Sequence, residues 1–340
     1  MKIAIFGGAF DPPHLGHMNL VKSFRDSINP DKVIIIPTGN APHKSTMTPF
    51  EIRFKLAQAA FPDCEISDIE NTPRTSYTID TIGELRKIYP NDDFFLLIGS
   101  DMLTGFDRWK DYKRILEQCT VTAAARDGSE MSEYAKHAER LGIDFIEFPI
   151  IEMSSTQIRE RYKPKRYIHS LNVAIMCGML AKRHGAGIEA SEKAYIAGLL
   201  HDIMKALPHE EAQDIVQKSD LSPDPVEIDA PKLWHAIAGA QYVRDTLKIT
   251  DVEIINAIRF HTIARAGMSV VEKIVYLADK ISFERDFDDV GEVRAAAFED
   301  LDLGVYEAIK VGMEKTLEKC GQIPAYTYEA YNYYKQNDYI

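Results

Sequence analysis

Cysteine is scarce in this chain: four in 340 residues, Cys64, Cys119, Cys177 and Cys320, far apart and with no C-x-x-C pair. That scatter excludes a disulfide framework and a thiolate zinc site, and leaves buried free thiols as the reading. Long apolar runs are absent as well. The stretch Met1 to Phe6 is far too short for a signal-peptide core or a membrane span, and nothing later approaches that length, so the expected place is the cytosol with no membrane partner. Positive charge is in deficit. A net charge of -12 argues against broad binding to nucleic acid, which needs clustered Lys and Arg. Phosphate must therefore be met locally, by a few cations, helix ends or metals. There is no internal repeat and no low-complexity run, and 45% hydrophobic with 27% charged residues suits a folded chain.

The length admits two cores of ordinary size. In the first half, strand-length apolar runs at Lys2 to Phe6, Lys32 to Pro37, Phe94 to Gly99, Thr120 to Ala125 and Asp144 to Glu147 alternate with helical patterns. That rhythm predicts a parallel α/β sheet of Rossmann type. Thr48-Pro49-Phe50-Glu51 predicts a helix start, with a Thr/Glu capping box and Pro at the first helical position. Beyond Tyr162 the period is helical, as in Val173 to His184, Ala194 to His201, Leu233 to Leu247, Val252 to His261 and Val270 to Ser282. An α/β domain over 1–162 and an all-α helical bundle over 163–340 are expected, divided at Lys163-Pro164-Lys165-Arg166 because proline breaks the pattern there.

The sharpest signal in the first half is Gly7-Gly8-Ala9-Phe10-Asp11-Pro12-Pro13-His14-Leu15-Gly16-His17, directly after the first strand. Glycines let the backbone approach a polyphosphate, and a helix opening near His17 turns its free N–H groups to it. His14 and His17 can donate hydrogen bonds to charge that grows on a phosphate during nucleotidyl transfer. Ser154-Ser155-Thr156 precedes a helical stretch and can hold further phosphates, with Arg159 one turn on adding a fork of donors.

With Asn40-Ala41-Pro42-His43-Lys44, Thr75-Ser76-Tyr77-Thr78-Ile79-Asp80-Thr81, Leu97-Ile98-Gly99-Ser100-Asp101-Met102-Leu103, Trp109-Lys110 and Ser154-Ser155-Thr156-Gln157-Ile158-Arg159 added, the first half resembles the nucleotidylyltransferase family with its H-x-G-H signature. Within that family it resembles the nicotinate mononucleotide adenylyltransferases. The resemblance implies that His14 and His17 stabilise the α-phosphate of ATP, carried with Mg2+, as nicotinate mononucleotide attacks it and diphosphate leaves. It implies Lys44 for the triphosphate and Asp101, after Gly99, for the ribose. Tyr77, Thr78, Trp109 and Lys110 fall to the pyridine nucleotide, with Thr78 equally suited to cap its helix. Gly7, Gly8, Phe10 and Arg126 complete the implied substrate and ATP site.

The second half carries its own chemistry. His201-Asp202 ends the apolar run Ile196-Ala197-Gly198-Leu199-Leu200, and His169, His235, His261 and Asp279 lie in other helical patterns. Imidazoles and carboxylates are a ligand set for divalent transition metals, and a bundle can gather such distant residues. Arg166 to Ser170, Ala197 to Lys205, Leu233 to Ala236, Ile258 to Thr262, Tyr276 to Lys280 and Arg285 together resemble the HD phosphohydrolase superfamily. The nearer likeness is to its small branch that cleaves diadenosine tetraphosphate symmetrically into two ADP. The resemblance implies one metal on His169, His201, Asp202 and Asp279, and a second completed by His235 and His261, iron or manganese foremost. Lys205, four residues after His201 on the same helix, would reach a substrate phosphate, and Arg166, Arg265 and Arg285 would bind the others. Two departures are noted: Ile323-Pro324-Ala325-Tyr326-Thr327 lacks an expected His-Pro pair, and Met204 replaces an aromatic or small residue.

The expected partners are ATP, nicotinate mononucleotide and dinucleoside polyphosphates, with a homo-oligomer left open. Two rivals stand beside this reading: a first half that adenylylates or cytidylylates another acceptor, and a helical half that senses a nucleotide without hydrolysing it or acts on a different one.

Overall fold

A computed structural model of the chain describes residues 1–40, 48–126, 131–148, 153–319 and 321–335. The chain divides into two compact units, Met1–Ser155 and Thr156–Ile340. The expected division after Tyr162 lies inside the second of these.

The first unit is built on six parallel strands, β1 (Lys2–Gly8), β2 (Lys32–Pro37), β3 (Glu65–Ile66), β4 (Asp93–Gly99), β5 (Cys119–Arg126) and β6 (Asp144–Phe148), in the order β3-β2-β1-β4-β5-β6. Around them run α1 (Leu15–Ile28), α2 (Phe50–Ala60), α3 (Thr78–Ile88), α4 (Ser100–Leu103), α5 (Tyr112–Gln118), α6 (Met131–Leu141) and the start of α7 (Ser155–Arg161). The central strands are buried on both faces, which explains their unbroken apolar runs. Ile3, Ile5, Ile34, Ile36, Leu96 and Ile98 form one core with Ile82 and Leu85 of α3, while Ala4, Phe6 and Ile35 are buried between them in sequence. The strand order reverses between β1 and β4. Loops leaving the carboxyl ends of those two strands diverge there, which opens the crevice where ligands bind in open α/β sheets.

Two local expectations fail. The Thr48/Glu51 capping box does not form: Pro49 is the N-cap of α2 with no side-chain cap bond, and the Thr48 carbonyl instead accepts Arg53 Nε at 3.0 Å. Thr78 does not cap α3 either. Tyr77 holds the N-cap position without a side-chain bond, and Thr78 is the first helical residue.

The second unit is helical throughout its described residues: the rest of α7, then α8 (Pro164–Arg183), α9 (Ile188–Leu200), α10 (His209–Lys218), α11 (Pro225–Ile228), α12 (Trp234–Asp245), α13 (Val252–Phe260), α14 (Val270–Ile281), α15 (Val290–Glu299), α16 (Leu301–Glu318) and α17 (Ala325–Lys335). Pro164 opens α8 at its first turn, where a missing N–H costs nothing. Helices α8, α9, α13 and α14 pack on one another. Gly198 allows the close approach of α9 to α8, because a Cβ there would fall 2.6 Å from Cys177 Sγ. Tyr162, buried, donates its hydroxyl to the Leu199 carbonyl at 2.7 Å, satisfying an acceptor at the end of α9. Among the described residues, no helix is long and apolar enough to cross a membrane.

Candidate functional site

The loop after β1 is turned by Phe10, whose φ of 48° is left-handed and whose ring is buried edge-on to Phe6, His17 and Phe61. Burial of the ring offsets the backbone strain. His14 then caps α1: its Nδ1 accepts the Gly16 N–H at 3.1 Å, and its own N–H donates to His17 Nδ1 at 3.2 Å. A capping box made of two imidazoles places the rings 3.9 Å apart. Because each Nδ1 accepts, each neutral ring carries its proton on Nε2 and offers a donor there. Ser155 Oγ donates to the Pro12 carbonyl at 2.9 Å, so Ser155 does meet this loop. Ser154 precedes it, and on α7 Arg159 donates to Thr156 Oγ1 at 3.0 Å.

At the end of β4, Gly99 caps α4 and Asp101 stands in its first turn, with a carboxylate oxygen 2.5 Å from where a Cβ on Gly99 would be. A side chain at position 99 would oblige that carboxylate to turn away. Lys110 Nζ lies 4.5 Å above the Tyr77 ring and 2.8 Å from Asp80, while Trp109 packs on Phe106. Lys44, with Ala41 to His43, lies outside the described residues; Arg126 closes β5, and its side chain is likewise outside them. Arg53 was not anticipated. It is 1% exposed, donates to the Ala9 carbonyl at 2.7 Å, and has its pKa lowered by burial despite the nearby Asp11. A helical arginine facing a loop 44 residues back leaves no local signal.

In the second unit, His169 on α8, His201 and Asp202 after α9, His235 on α12, His261 after α13 and Asp279 on α14 come together. Asp202 faces two ways: Oδ2 lies 3.7 Å from His201 Nε2 and 3.9 Å from His169 Nε2, and Oδ1 lies 3.1 Å from His235 Nε2 and 3.8 Å from His261 Nε2. His169, His201 and Asp202 form one group able to hold a metal ion, and Asp202, His235 and His261 a second. Asp279, 3.1 Å from His169 Nε2 and 3.8 Å from His201 Nε2, flanks the first.

The donors are prepared for a metal. His201 and His261 each follow a helix end and donate Nδ1–H to the carbonyl three residues back, Gly198 and Ile258, both at 2.7 Å. Each Nε2 therefore carries its lone pair toward the cluster. Burial lowers the pKa of His201 to about 4 and lowers those of His235 and His261, which favours the neutral, ligating form of each. Burial disfavours charge on Asp202 and Asp279 too, but the imidazoles around Asp202 outweigh it, as do Lys280, His169 and Arg285 around Asp279. This set fits divalent transition metals.

Cations surround it. Arg166 donates to Asp202 Oδ2 at 3.1 Å, Arg285 Nε to the Asp279 carbonyl at 2.8 Å, and Lys205 Nζ lies 2.8 Å from His235 Nε2. Burial lowers the Lys205 pKa. Lys205 is not on the helix of His201, as its spacing had suggested. The His201 imidazole takes the Gly198 carbonyl, the helix ends, and 201–206 continue as turns such as Lys205 N–H to the Asp202 carbonyl. Arg265 forks onto Glu272 at 2.6 and 2.7 Å. Glu284, Asn172 and Lys280 were not anticipated: Glu284 receives His169 Nδ1–H and Asn172 Nδ2–H, and Lys280 Nζ bonds Asp279 at 3.1 Å. Of the departures noted, Met204 is buried, and Thr327 Oγ1 bonds the Ile263 carbonyl.

The Cytidylyltransferase-like family matches residues 5–161, and the HD domain family matches 166–284. The "Probable nicotinate-nucleotide adenylyltransferase" of Oceanobacillus iheyensis is 36% identical over 50% of this chain and 88% of its own length. A Mycoplasma genitalium protein named "Probable nicotinate-nucleotide adenylyltransferase/Ap4A hydrolase" is 27% identical over 84% of this chain and 88% of its own. The crystal structure of a "predicted HD superfamily hydrolase involved in NAD metabolism" from Clostridium acetobutylicum aligns with 54% of this chain and 97% of its own, at 34% identity and a TM-score of 0.50. The chain belongs to the nicotinate-nucleotide adenylyltransferase family, fused in one polypeptide to an HD-superfamily hydrolase domain.

Proposed function

We propose that the first unit transfers AMP from ATP to nicotinate mononucleotide and that the second hydrolyses diadenosine tetraphosphate to two ADP, both in the cytoplasm. The transferase reading is carried by the two-histidine cap at the reversal point of the sheet. A phosphate oxygen of nicotinate mononucleotide attacks the α-phosphorus of ATP, the bond to the β-phosphate breaks, and diphosphate leaves with the electron pair. No covalent enzyme intermediate is needed. His14 and His17 donate from Nε2 to the non-bridging oxygens as their charge grows, and Arg53 holds the loop that bears them. Gly7 and Gly8 let the chain approach the phosphates, Asp101 takes a ribose, and Tyr77, Thr78, Trp109 and Lys110 surround the pyridine.

The hydrolase reading is carried by Asp202, whose two oxygens face two histidine groups. Metal ions held by His169, His201, Asp202 and Asp279, and by Asp202, His235 and His261, would supply Lewis-acid polarisation and a nucleophile at neutral pH. Arg166, Lys205 and Arg285 attract the tetraphosphate and hold its oxygens; Arg265 has its fork engaged by Glu272 and joins them only by exchanging that partner. The Mycoplasma genitalium relative's name supports this substrate.

The test is direct assay of the purified chain on ATP with nicotinate mononucleotide, nicotinamide mononucleotide or other acceptors, and on diadenosine tetraphosphate with iron or manganese. The reading expects the nicotinate acceptor to be preferred and ADP to be the sole product of the second reaction. Preference for another acceptor, or AMP with ATP as products, would overturn the corresponding half.

A further inference from the structure

Glu70 belongs to none of the motifs that mark the nucleotide site, yet its carboxylate joins two segments that do. Oε2 accepts the Gly39 N–H at 3.2 Å, and Oε1 accepts the hydroxyl of Thr81, on α3, at 2.7 Å. Gly39 lies so close that a Cβ on it would fall 1.8 Å from the Glu70 carbonyl oxygen. Next in the chain, Asn40 bridges Thr75 in parallel, and its carbonyl accepts the Ser76 N–H at 2.9 Å. Thr81 is itself buried, and its hydroxyl lies 3.3 Å from the Tyr77 carbonyl. One carboxylate thus ties the extension of β2 to the first turn of α3, where Tyr77 lies under Lys110.

We propose that Glu70 is a positioning residue for the acceptor nucleotide: it fixes the Tyr77–Thr78 turn against β2, and so sets acceptor affinity without touching either substrate. The proposal rests on the adenylyltransferase reading above. The histidine loop has bonds of its own, from Arg53 to the Ala9 carbonyl at 2.7 Å and from Thr38 N–H to the Gly8 carbonyl at 2.8 Å, and Glu70 reaches this side only through its charge on Arg53 and through Gly39, next in the chain to Thr38. Loss of Glu70 removes both of its bonds on the acceptor side and neither bond to the histidine loop, so the acceptor side loosens more than the ATP side. A carboxylate that bonds two segments at once leaves two donors unpaired when it is removed, so the effect should be large enough to separate from noise.

Steady-state kinetics of the full chain test this, with Glu70→Ala, Glu70→Gln, Thr81→Val and the double variant Glu70→Ala/Thr81→Val. Glu70→Ala removes the bonds to both Gly39 and Thr81 and should raise KM for nicotinate mononucleotide by about tenfold or more, while KM for ATP and kcat change by less than about threefold. Glu70→Gln keeps an acceptor oxygen and should recover part of the loss. The double variant should be little worse than Glu70→Ala alone, because the Thr81–Glu70 bond is already gone and only the longer contact with the Tyr77 carbonyl is added to the loss. Equal rises in both KM values in step with a falling Tm, an unchanged acceptor KM, or additive effects would overturn the positioning role. Wild-type chain without turnover on this acceptor would overturn the adenylyltransferase reading and the proposal with it.

Discussion

Glu284 accepts the Nδ1 proton of His169, a residue 115 positions away, while the Nε2 of the same ring faces Asp279 at 3.1 Å. The Glu284 carboxyl stays ionised, held at about 2 against its burial by His169 and by other donors including Asn172 and Ser282, so it can only accept. A carboxylate behind a ligating imidazole orients the ring and strengthens it as a ligand. Glu284→Ala is expected to weaken metal binding by about 10–100-fold, and Glu284→Gln, which keeps an acceptor, by much less. Competition against a chelating dye measures both, and equal losses would exclude the orienting role.

Metal binding should expel a proton. Burial works against the His169 cation, but bonds to Asp279 and Glu284 raise its pKa to about 9, so the metal-free ring is protonated at pH 7. A metal needs the Nε2 lone pair and must displace that proton. Apparent affinity should rise about tenfold per pH unit from 7 toward 9 and level off above, while His201, at about 4, adds nothing in this window. Calorimetry in buffers of different ionisation enthalpy reads the released proton directly. Its absence at pH 7 would refute the assignment.

Asp202 serves both histidine groups, whereas His261 serves one. Asp202→Ala should strip the chain of metal and abolish hydrolysis, and His261→Ala should remove only the metal on His235's side. Elemental analysis of dialysed protein counts the ions. Adenylyl transfer should persist in both variants; its loss from folded protein would contradict two separate sites.

A structural pair lies near this centre. Arg259 and Glu227, 1% and 0% exposed, bond through two contacts of 2.6 and 2.7 Å, and Arg259 Nε also reaches the Leu221 carbonyl at 3.1 Å. Arg259→Met leaves a buried carboxylate without its partner and should cost about 3–5 kcal/mol. Urea denaturation followed at Trp234, whose Nε1 donates to the Glu227 carbonyl at 3.0 Å, reports it. A loss below about 1 kcal/mol would show that water or another cation replaces the arginine.

Much of this architecture is legible in the amino-acid order. Strands such as Lys32–Pro37 announce themselves because burial on both faces requires an unbroken apolar run. The metal-binding residues stand out as polar groups inside apolar helical stretches. What sequence order hides is side-chain partnership at long range. Nothing adjacent to Thr48 shows that Arg53 will take its carbonyl, nothing near Lys205 shows that His201 will end the helix early, and neither Glu70 nor Glu284 sits in a recognisable pattern.

The Tyr162 hydroxyl on the Leu199 carbonyl bears on how this polypeptide can be dissected. The HD family match begins at residue 166, and a gene fragment started there would encode every proposed metal-binding residue. It would nonetheless omit the donor that satisfies a buried acceptor two residues before His201, an omission worth about 1–3 kcal/mol. A fragment meant to carry the helical unit should therefore begin upstream of the family match and include Tyr162, which belongs to the second compact unit.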